Sequence, residues 1–244
     1  MGYARRVDRA LLAWFADNGR DLPWRRTRDP YAILVAEVML QQTQVERVVP
    51  RYERWLGLWP TAATLAVADA AAVIREWQGL GYNRRAVNLH RAAQAIATGG
   101  WPADLTDLPG VGAYTAAAIR NQAWGEQVLP VDTNVARIQE RTGHRFGPAA
   151  LQALFDLGAT ICLARVPRCG ACPLAAGCPS RGRRYEPLRR QPRFEGSFRQ
   201  RRAELLRLVA EAPRPLAELD AAAVAALERD GLVRVEGELV ALPR

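Results

Sequence analysis

Four cysteines form the most concentrated set of reactive side chains in the sequence. They are the only cysteines among the 244 residues, and they follow one another as Cys162-x6-Cys169-x2-Cys172-x5-Cys178. Four thiols at such short spacings predict one metal site, and a long chain of a reducing compartment has little need of disulfides. The spacing by itself leaves zinc and an iron-sulfur cluster open, because four thiolates hold either one.

Two carboxylic acids stand where an acid could take part in a reaction. Asp132 precedes a predicted helix, where it either caps that helix or stabilises positive charge that develops on a substrate. Glu37 lies with Val35, Val38 and Leu40 in an otherwise apolar helix. Burial in general raises the pKa of a carboxyl group, so such an acid can donate a proton near neutral pH. A solvated helix face is the alternative for Glu37.

A glycine-containing turn precedes another predicted helix. The segment Leu108-Pro109-Gly110-Val111-Gly112 leads into a helix that begins near Tyr114. Paired glycines allow positive φ angles and bring backbone N–H groups close to an anion at a helix N-terminus. Gly110, Val111 and Gly112 are therefore candidates for binding an anion such as a phosphate group, with an ordinary tight turn as the alternative.

The composition favours a polyanionic partner. All 34 basic residues are Arg, the net charge is +9, and the isoelectric point is about 10.2. Arg pairs with phosphate in a bidentate manner, although a GC-rich genome also produces an all-Arg set. The N-terminus lacks the apolar core of a signal peptide and no long apolar run occurs, so we expect a cytoplasmic protein without membrane contact. Its basic charge adds the expectation that it associates with the bacterial nucleoid. We also expect a monomer.

Helical periodicity dominates the chain and predicts an all-α body. The predicted helices are 5–16, 31–41, 44–55, 68–77, 84–97, 114–124, 133–142 and 149–161. Residues 1–180 are predicted to form the core, and 181–202, which contain nine Arg, a linker that either follows the DNA backbone or is simply solvated. Residues 203–244 combine helices 203–211 and 221–230 with a hairpin, which predicts a small winged-helix-like module.

These motifs together resemble the MutY-type adenine DNA glycosylases of the endonuclease III-like helix-hairpin-helix superfamily. The resemblance runs from about Trp14 to Pro179. It implies a fold of two helical lobes and a 4Fe-4S cluster held by Cys162, Cys169, Cys172 and Cys178. It also implies a substrate, double-stranded DNA with a mispaired or damaged base, from which one base is flipped out of the helix.

The resemblance also implies roles for individual residues. Glu37 would protonate the leaving adenine at N7, and Asp132 would stabilise the oxocarbenium-like sugar. Asn134 would orient either water or Asp132. Tyr114 would lie beside the sugar. The implied base pocket consists of Leu22, Trp24, Arg25 and Gln152. The implied DNA-binding residues, besides the glycine turn, are Gln42, Leu80 and Tyr82, of which Gln42 and Tyr82 would wedge into the base stack. His90 matches the family too, but a packed core position is its simpler interpretation.

Three features separate this chain from other members of the superfamily. The bifunctional branch of the superfamily has a Lys where this chain has Tyr114, and the sequence contains no Lys, so we expect a monofunctional glycosylase without Lys-dependent strand cleavage. The segment from Asn134 to Cys162 is shorter than in the family, and we expect no Nudix-like C-terminal domain. The predicted reaction is removal of adenine, or of a related purine such as hypoxanthine, from a mispair. Removal of thymine or uracil opposite guanine, and non-catalytic damage sensing, are the alternatives.

Overall fold

The fold is helical, as the periodicity predicts, and ends in a small sheet. We describe residues 2–186 and 193–244 of a computed structural model; residues 187–192 of the predicted linker lie outside this description. The helices are α1 (Gly2–Asn18), α2 (Pro30–Leu40), α3 (Val45–Leu58), α4 (Ala62–Ala66), α5 (Ala70–Trp77), α6 (Arg84–Gly99), α7 (Ala113–Trp124), α8 (Thr133–Thr142), α9 (Leu151–Thr160), α10 (Phe198–Glu211) and α11 (Ala221–Arg229). The strands are β1 (Arg214–Pro215), β2 (Arg234–Glu236) and β3 (Leu239–Ala241). Among the described residues, no helix is long and apolar enough to span a membrane.

The first of two compact units comprises residues 1–25 and 117–190. Its core joins α1, α8 and α9 through buried side chains that include Leu11, Val135, Ile138 and Leu154. Helix α8 forms here because Asp132 caps its N-terminus and because Val135 and Ile138, three residues apart, give it one apolar face. The core of this unit thus fixes the helix that follows Asp132.

The second unit comprises residues 26–116 and 191–244. Its α2 begins with Pro30 after an Asp29 cap and is buried continuously from Tyr31 to Met39. A helix that is apolar on all sides must be surrounded by other elements, which explains why α3 and α6 pack against it. The carboxyl of Glu37 is therefore held inside this unit and not on a solvated helix face.

The C-terminal segment forms helices followed by a hairpin, together with one strand that the sequence pattern did not reveal. Strands β2 and β3 pair antiparallel, and β1 pairs with the other edge of β3, which gives the order β1-β3-β2. The apolar side chains of α10 and α11 share one core with Ala71 and Ile74 of α5. This segment is therefore packed against α5 of the same unit. The domain boundary at residue 203 stays a prediction.

Several predicted helix ends differ from the structure, and two of the differences change how an element is assigned. The predicted helix 68–77 is α5, and a separate short helix, α4, precedes it because Thr61 and Thr64 form a reciprocal capping box. Helix α10 begins at Phe198, inside the predicted linker, because the Ser197 side chain caps it by accepting the N–H of Gln200. The last residues of the Arg-rich run are thus helical.

Candidate active site

The four cysteines line a single cavity in the first unit. They are half-buried and form no disulfide, and Ile138, Leu157 and Leu174 contribute the apolar part of the cavity wall. The pKa of the Cys172 thiol is raised to about 11, chiefly by burial and to a smaller extent by the neighbouring cysteines. Across the described residues, no three His, Cys, Asp or Glu side chains converge on a point that would hold a single metal ion.

Arg141 of α8 fixes the loop that carries the cysteines. Its side chain is buried and donates to the carbonyl oxygens of Leu163 and Ala164, each at 2.7 Å. Its Nη1 also lies 3.5 Å from the Sγ of Cys162, and its guanidinium stacks 3.8 Å from the ring centroid of Tyr185. One cation thus holds backbone, sulfur and an aromatic ring of this loop.

Asp132 has both carboxylate oxygens engaged within the first unit. One oxygen accepts the N–H of Val135 at 2.7 Å, and the other accepts the side-chain amide of Asn134 at 2.9 Å. Asn134 in turn accepts from Nη2 of Arg137 at 2.7 Å. The predicted pair Asp132 and Asn134 is therefore brought together, with the carboxylate fixed at the start of α8.

Arg137 connects this pair to the cysteine loop. Its Nε donates to the carbonyl oxygen of Cys162 at 2.8 Å, and its Nη2 donates to that of Gly158 at 2.9 Å. Burial is the largest effect on the Arg137 guanidinium and lowers its pKa. A β-carbon added to Gly158 would lie 2.6 Å from the β-carbon of Asn134, so only glycine allows α8 and α9 to approach this closely.

Arg25 and Gln152, two predicted base-pocket residues, are in direct contact. The Nε of Arg25 donates to Oε1 of Gln152 at 2.7 Å, and the amide of Gln152 donates to Gln122 at 3.1 Å. Leu22 and Trp24, the other two predicted pocket residues, are buried, each about 5% exposed. The structure therefore orients the amide of Gln152 through its neighbours.

Asp156 organises this part of the first unit, and the sequence analysis missed it. It is fully buried and accepts four hydrogen bonds of 2.8–2.9 Å from Arg20 and Arg25. Burial raises the pKa of the Asp156 carboxyl, but the bonds from Arg25 and Arg20 outweigh that effect and leave the pKa below its usual value. The signal for it was present, because Asp156 is a lone acid in an apolar helix, as Glu37 is.

The second unit holds the other predicted site residues. Glu37 is 6% exposed, in the buried part of α2. Tyr114 lies in the first turn of α7 and is half-buried. His90 is buried in α6, and burial lowers its pKa, as expected for a packed core residue.

The glycine turn has the predicted local form between α6 and α7. Gly110 has a φ of 80°, and a β-carbon on it would lie 2.8 Å from the β-carbon of Asn88. The Val111 side chain is buried, and its N–H bonds to the carbonyl of Leu108 at 3.0 Å. Gly112 precedes α7 with open space around its α-carbon. The turn is thus rigid at Gly110 and open at Gly112.

Gln42 and Tyr82 share an unusual backbone. They are the described residues other than glycine that have positive φ, at 55° and 47°. The Gln42 side chain is exposed, and Tyr82 is 47% exposed. Leu80 is buried, and its carbonyl accepts from Thr43 at 3.3 Å. The loops 41–44 and 79–82 are therefore joined, with two strained residues presenting their side chains outward.

Comparisons with known proteins assign the chain to a family. Residues 35–148 match the HhH-GPD superfamily base excision DNA repair protein family. An adenine DNA glycosylase of Mycolicibacterium smegmatis is 40% identical over 86% of this chain and 83% of its own length. One of Mycobacterium tuberculosis is 41% identical over 88% and 83%. The chain belongs to the HhH-GPD base excision repair family, together with these adenine DNA glycosylases.

Solved structures support the family's fold. A thermostable thymine-DNA glycosylase superposes with a TM-score of 0.64 at 25% identity, over 72% of this chain and 96% of that one. An endonuclease III–DNA covalent intermediate superposes with a TM-score of 0.61 at 23% identity, over 72% and 93%. The predicted helix-hairpin-helix fold is thereby confirmed for this family member.

Proposed function

We propose that the protein is a monofunctional DNA glycosylase that flips adenine out of mispaired double-stranded DNA and hydrolyses its bond to deoxyribose. The observation that carries this proposal is the fixed carboxylate of Asp132. A carboxylate that is already oriented needs no reorganisation when positive charge develops on the sugar, which is the condition for effective electrostatic stabilisation. Adenine as the leaving base is supported by the two mycobacterial relatives.

The proposed roles divide between charge stabilisation and proton transfer. Asp132 would stabilise the oxocarbenium-like sugar, and Asn134 would hold Asp132 in place. Glu37, buried in α2, would protonate the departing purine, and Tyr114 would lie beside the sugar. A general acid and a stabilising carboxylate are the usual pair for cleavage of a glycosidic bond.

We assign the base pocket to Leu22, Trp24, Arg25 and Gln152. Nε of Arg25 donates to the carbonyl oxygen of the Gln152 amide, so the amide is held in one orientation, and its NH₂ group, which donates one N–H to Gln122, keeps a second N–H to donate. A purine with a hydrogen-bond acceptor facing the NH₂ group of Gln152 would be preferred to one with a donor there. Two donors that face each other in a dry pocket leave both without a hydrogen bond.

DNA binding would rest on the backbone of the glycine turn and on the exposed loops 41–44 and 79–82. Because the N–H of Val111 is bonded within the turn, we assign the phosphate contact chiefly to Gly110 and Gly112. Gln42, Leu80 and Tyr82 would enter or support the base stack, at a cost of a few kcal/mol for unstacking.

A 4Fe-4S cluster fits the four cysteines better than zinc does. One zinc ion would draw four thiolates to about 2.3 Å from a single point. The four thiols line one cavity with an otherwise largely apolar wall, and in a cluster each thiolate binds a different iron atom, so the thiolates need not meet at one point. Cys162, Cys169, Cys172 and Cys178 would hold the cluster, which supplies a structural cross-link for the loop. Iron and sulfide analysis of the purified protein, with zinc as the contradicting result, tests this assignment.

No lysine side chain is available for a Schiff base with the sugar. Hydrolysis would therefore leave an intact abasic site, and strand cleavage would require later alkali treatment. Strand breaks of equal yield with and without alkali would contradict the monofunctional assignment.

The decisive experiment is single-turnover base release from duplexes that carry adenine, hypoxanthine, thymine or uracil opposite guanine or 8-oxoguanine. Asp132→Asn should abolish adenine release while leaving the fold intact, because Asn caps a helix nearly as well as Asp. Asp69→Asn is the matched control, since Asp69 caps α5 through the N–H groups of Ala71 and Ala72. Release that survives in Asp132→Asn, or that is lost equally in Asp69→Asn, would contradict the assignment.

Thymine or uracil release is the second candidate, and the thymine-DNA glycosylase neighbour favours it. In that case Glu37→Gln would have little effect, because a departing pyrimidine offers no N7 to protonate. Glu46→Gln, an exposed acid on α3, serves as its control. Binding without release from any duplex would identify a damage sensor instead of an enzyme.

A further inference from the structure

Arg85 of α6 is a buried cation whose hydrogen-bond acceptors, within the described part of the chain, are all neutral oxygens. It is 8% exposed, and each of these acceptors is a backbone carbonyl or a hydroxyl group. Burying a guanidinium is costly unless all its N–H groups are bonded. Burial lowers the pKa of Arg85 to about 10, so the side chain remains charged at neutral pH.

One side of the guanidinium closes the C-terminal end of α2 and holds the first loop. Its Nη1 donates to the carbonyls of Val38 at 2.6 Å, Met39 at 3.0 Å and Gln41 at 2.7 Å. The last carbonyls of a helix have no partner within the helix and carry its negative dipole end, so a cation is favourable there. These bonds fix the backbone on the N-terminal side of Gln42.

The other side of the same guanidinium holds the second loop. Its Nη2 donates to the carbonyls of Gly81 at 2.9 Å and Leu80 at 3.3 Å, and its Nε donates to the carbonyl of Tyr82 at 3.3 Å. A further bond of 3.1 Å reaches the hydroxyl of Thr43, on the C-terminal side of Gln42. The guanidinium thus bonds on both sides of Gln42 and along the 79–82 loop up to Tyr82.

The two residues between these bonds are the ones with positive φ. Gln42 and Tyr82 adopt a left-handed backbone that side chains with a β-carbon disfavour. Such conformations persist only where surrounding contacts over-determine them. Arg85 supplies those contacts to both loops from one rigid, planar group, which a flexible ammonium cannot do.

We propose that Arg85 is a positioning residue that holds Gln42 and Tyr82 as one preassembled wedge for insertion into the base stack. This role rests on the proposed function, because the wedge is assumed to insert into DNA. It adds that the wedge is set before DNA binds, so the free energy of ordering two strained loops is not drawn from the binding step.

The test measures unstacking separately from base release. A duplex with 2-aminopurine next to an adenine mispair reports unstacking by a rise in fluorescence, which is followed by stopped-flow mixing with the full-length protein. Arg85→Lys should slow that rise about tenfold, as expected when charge-assisted bonds to one of the two loops are lost. Arg84→Met is the matched control, because Arg84 is exposed and pairs only loosely with Asp230, at 3.6 Å, and it should unstack DNA at the unmodified rate.

Thr43→Val provides a second variant if Arg85→Lys does not fold. It removes the side-chain oxygen that, among the described residues, accepts from Arg85, and it nearly conserves volume, so it should slow unstacking about threefold, a smaller change in the same direction. Unmodified unstacking rates in folded Arg85→Lys and Thr43→Val would overturn the proposal.

A double-mutant cycle with Tyr82→Ala distinguishes positioning from a general weakening of the fold. If Arg85 acts through the wedge, Arg85→Lys, or Thr43→Val in its place, should have little further effect on unstacking once Tyr82 is truncated. A full, additive effect would overturn the proposal, as would the absence of any unstacking by the unmodified protein. Unstacking without release of any base would instead contradict the proposed function and leave the result on Arg85 intact.

Discussion

The substitution Asp156→Asn should destabilise the first unit strongly while conserving its shape. Asp156 is fully buried and forms ion pairs of 2.8 Å with both Arg20 and Arg25. Asparagine occupies the same volume but removes the negative charge and turns one acceptor oxygen into a donor that faces the guanidinium groups. The variant therefore leaves two arginines close together without a counter-charge.

The size of the effect follows from how far the partners are buried. Breaking a buried ion pair on one side costs about 3–5 kcal/mol. The Arg20 side chain retains 27% of its exposure and Arg25 retains 13%, so water relieves part of the penalty. We expect a loss of about 3 kcal/mol in the free energy of unfolding, or about 6–12 °C in melting temperature for a chain of this size.

The stability difference between the unmodified protein and Asp156→Asn should depend on pH in a definite direction. Because the folded pKa of Asp156 is lowered, its stabilisation is fully present above the unfolded value, about 3.9 for Asp, and is lost as pH falls through the folded pKa. The difference between the unmodified protein and Asp156→Asn should thus be constant near neutral pH and shrink below about pH 4.

Urea unfolding followed by circular dichroism at several pH values measures both quantities. Asp107→Asn, an exposed aspartate, is the control and should change stability by less than about 0.5 kcal/mol. The reasoning would be refuted if Asp156→Asn unfolded within that margin of the unmodified protein at neutral pH, or if the difference grew on acidification.

Three further predictions concern other parts of the structure. Gly110→Ala should lower stability by about 1–3 kcal/mol because of its positive φ and its close helix contact, whereas Gly112→Ala, in open space, should not; urea unfolding compares the two. Arg137→Met should lower the free energy of unfolding by about 2–3 kcal/mol, because its hydrogen bonds to two carbonyls are lost, and it should slow base release. The exposed Arg145→Met is the control and should do neither. The same result for both variants would contradict the role of the hydrogen bonds of Arg137. Leu206→Ala should lower the free energy of unfolding by about 2–5 kcal/mol. Because the C-terminal segment shares a core with α5, the unfolding transition measured by tryptophan fluorescence should shift too, although all seven tryptophans precede residue 125. An unshifted fluorescence transition would show that the segment unfolds independently.

Features that depend on neighbours along the chain were predicted from the sequence. Helix α8 begins and ends where the pattern places it, because an Asp cap, an apolar face and a terminal Gly143 with positive φ all act within one helix. The spacing of the four cysteines and the turn at Gly110 are local in the same way. Family membership also followed from such motifs, since each is contained within a short stretch of residues.

Features that depend on distant partners were decided only by the tertiary structure. In the sequence, Asp156 is one acid among others. Its role depends on hydrogen bonds from Arg20 and Arg25, which lie more than a hundred residues earlier in the chain. Arg85 was one arginine among 34, and its seven acceptors come from the end of α2 and from two loops whose proximity no periodicity reveals. The physical reason is the same for both residues. A charge can be buried only where the folded chain supplies its counter-charge or its hydrogen bonds, and the sequence shows the charge but not the partners that three-dimensional packing brings to it.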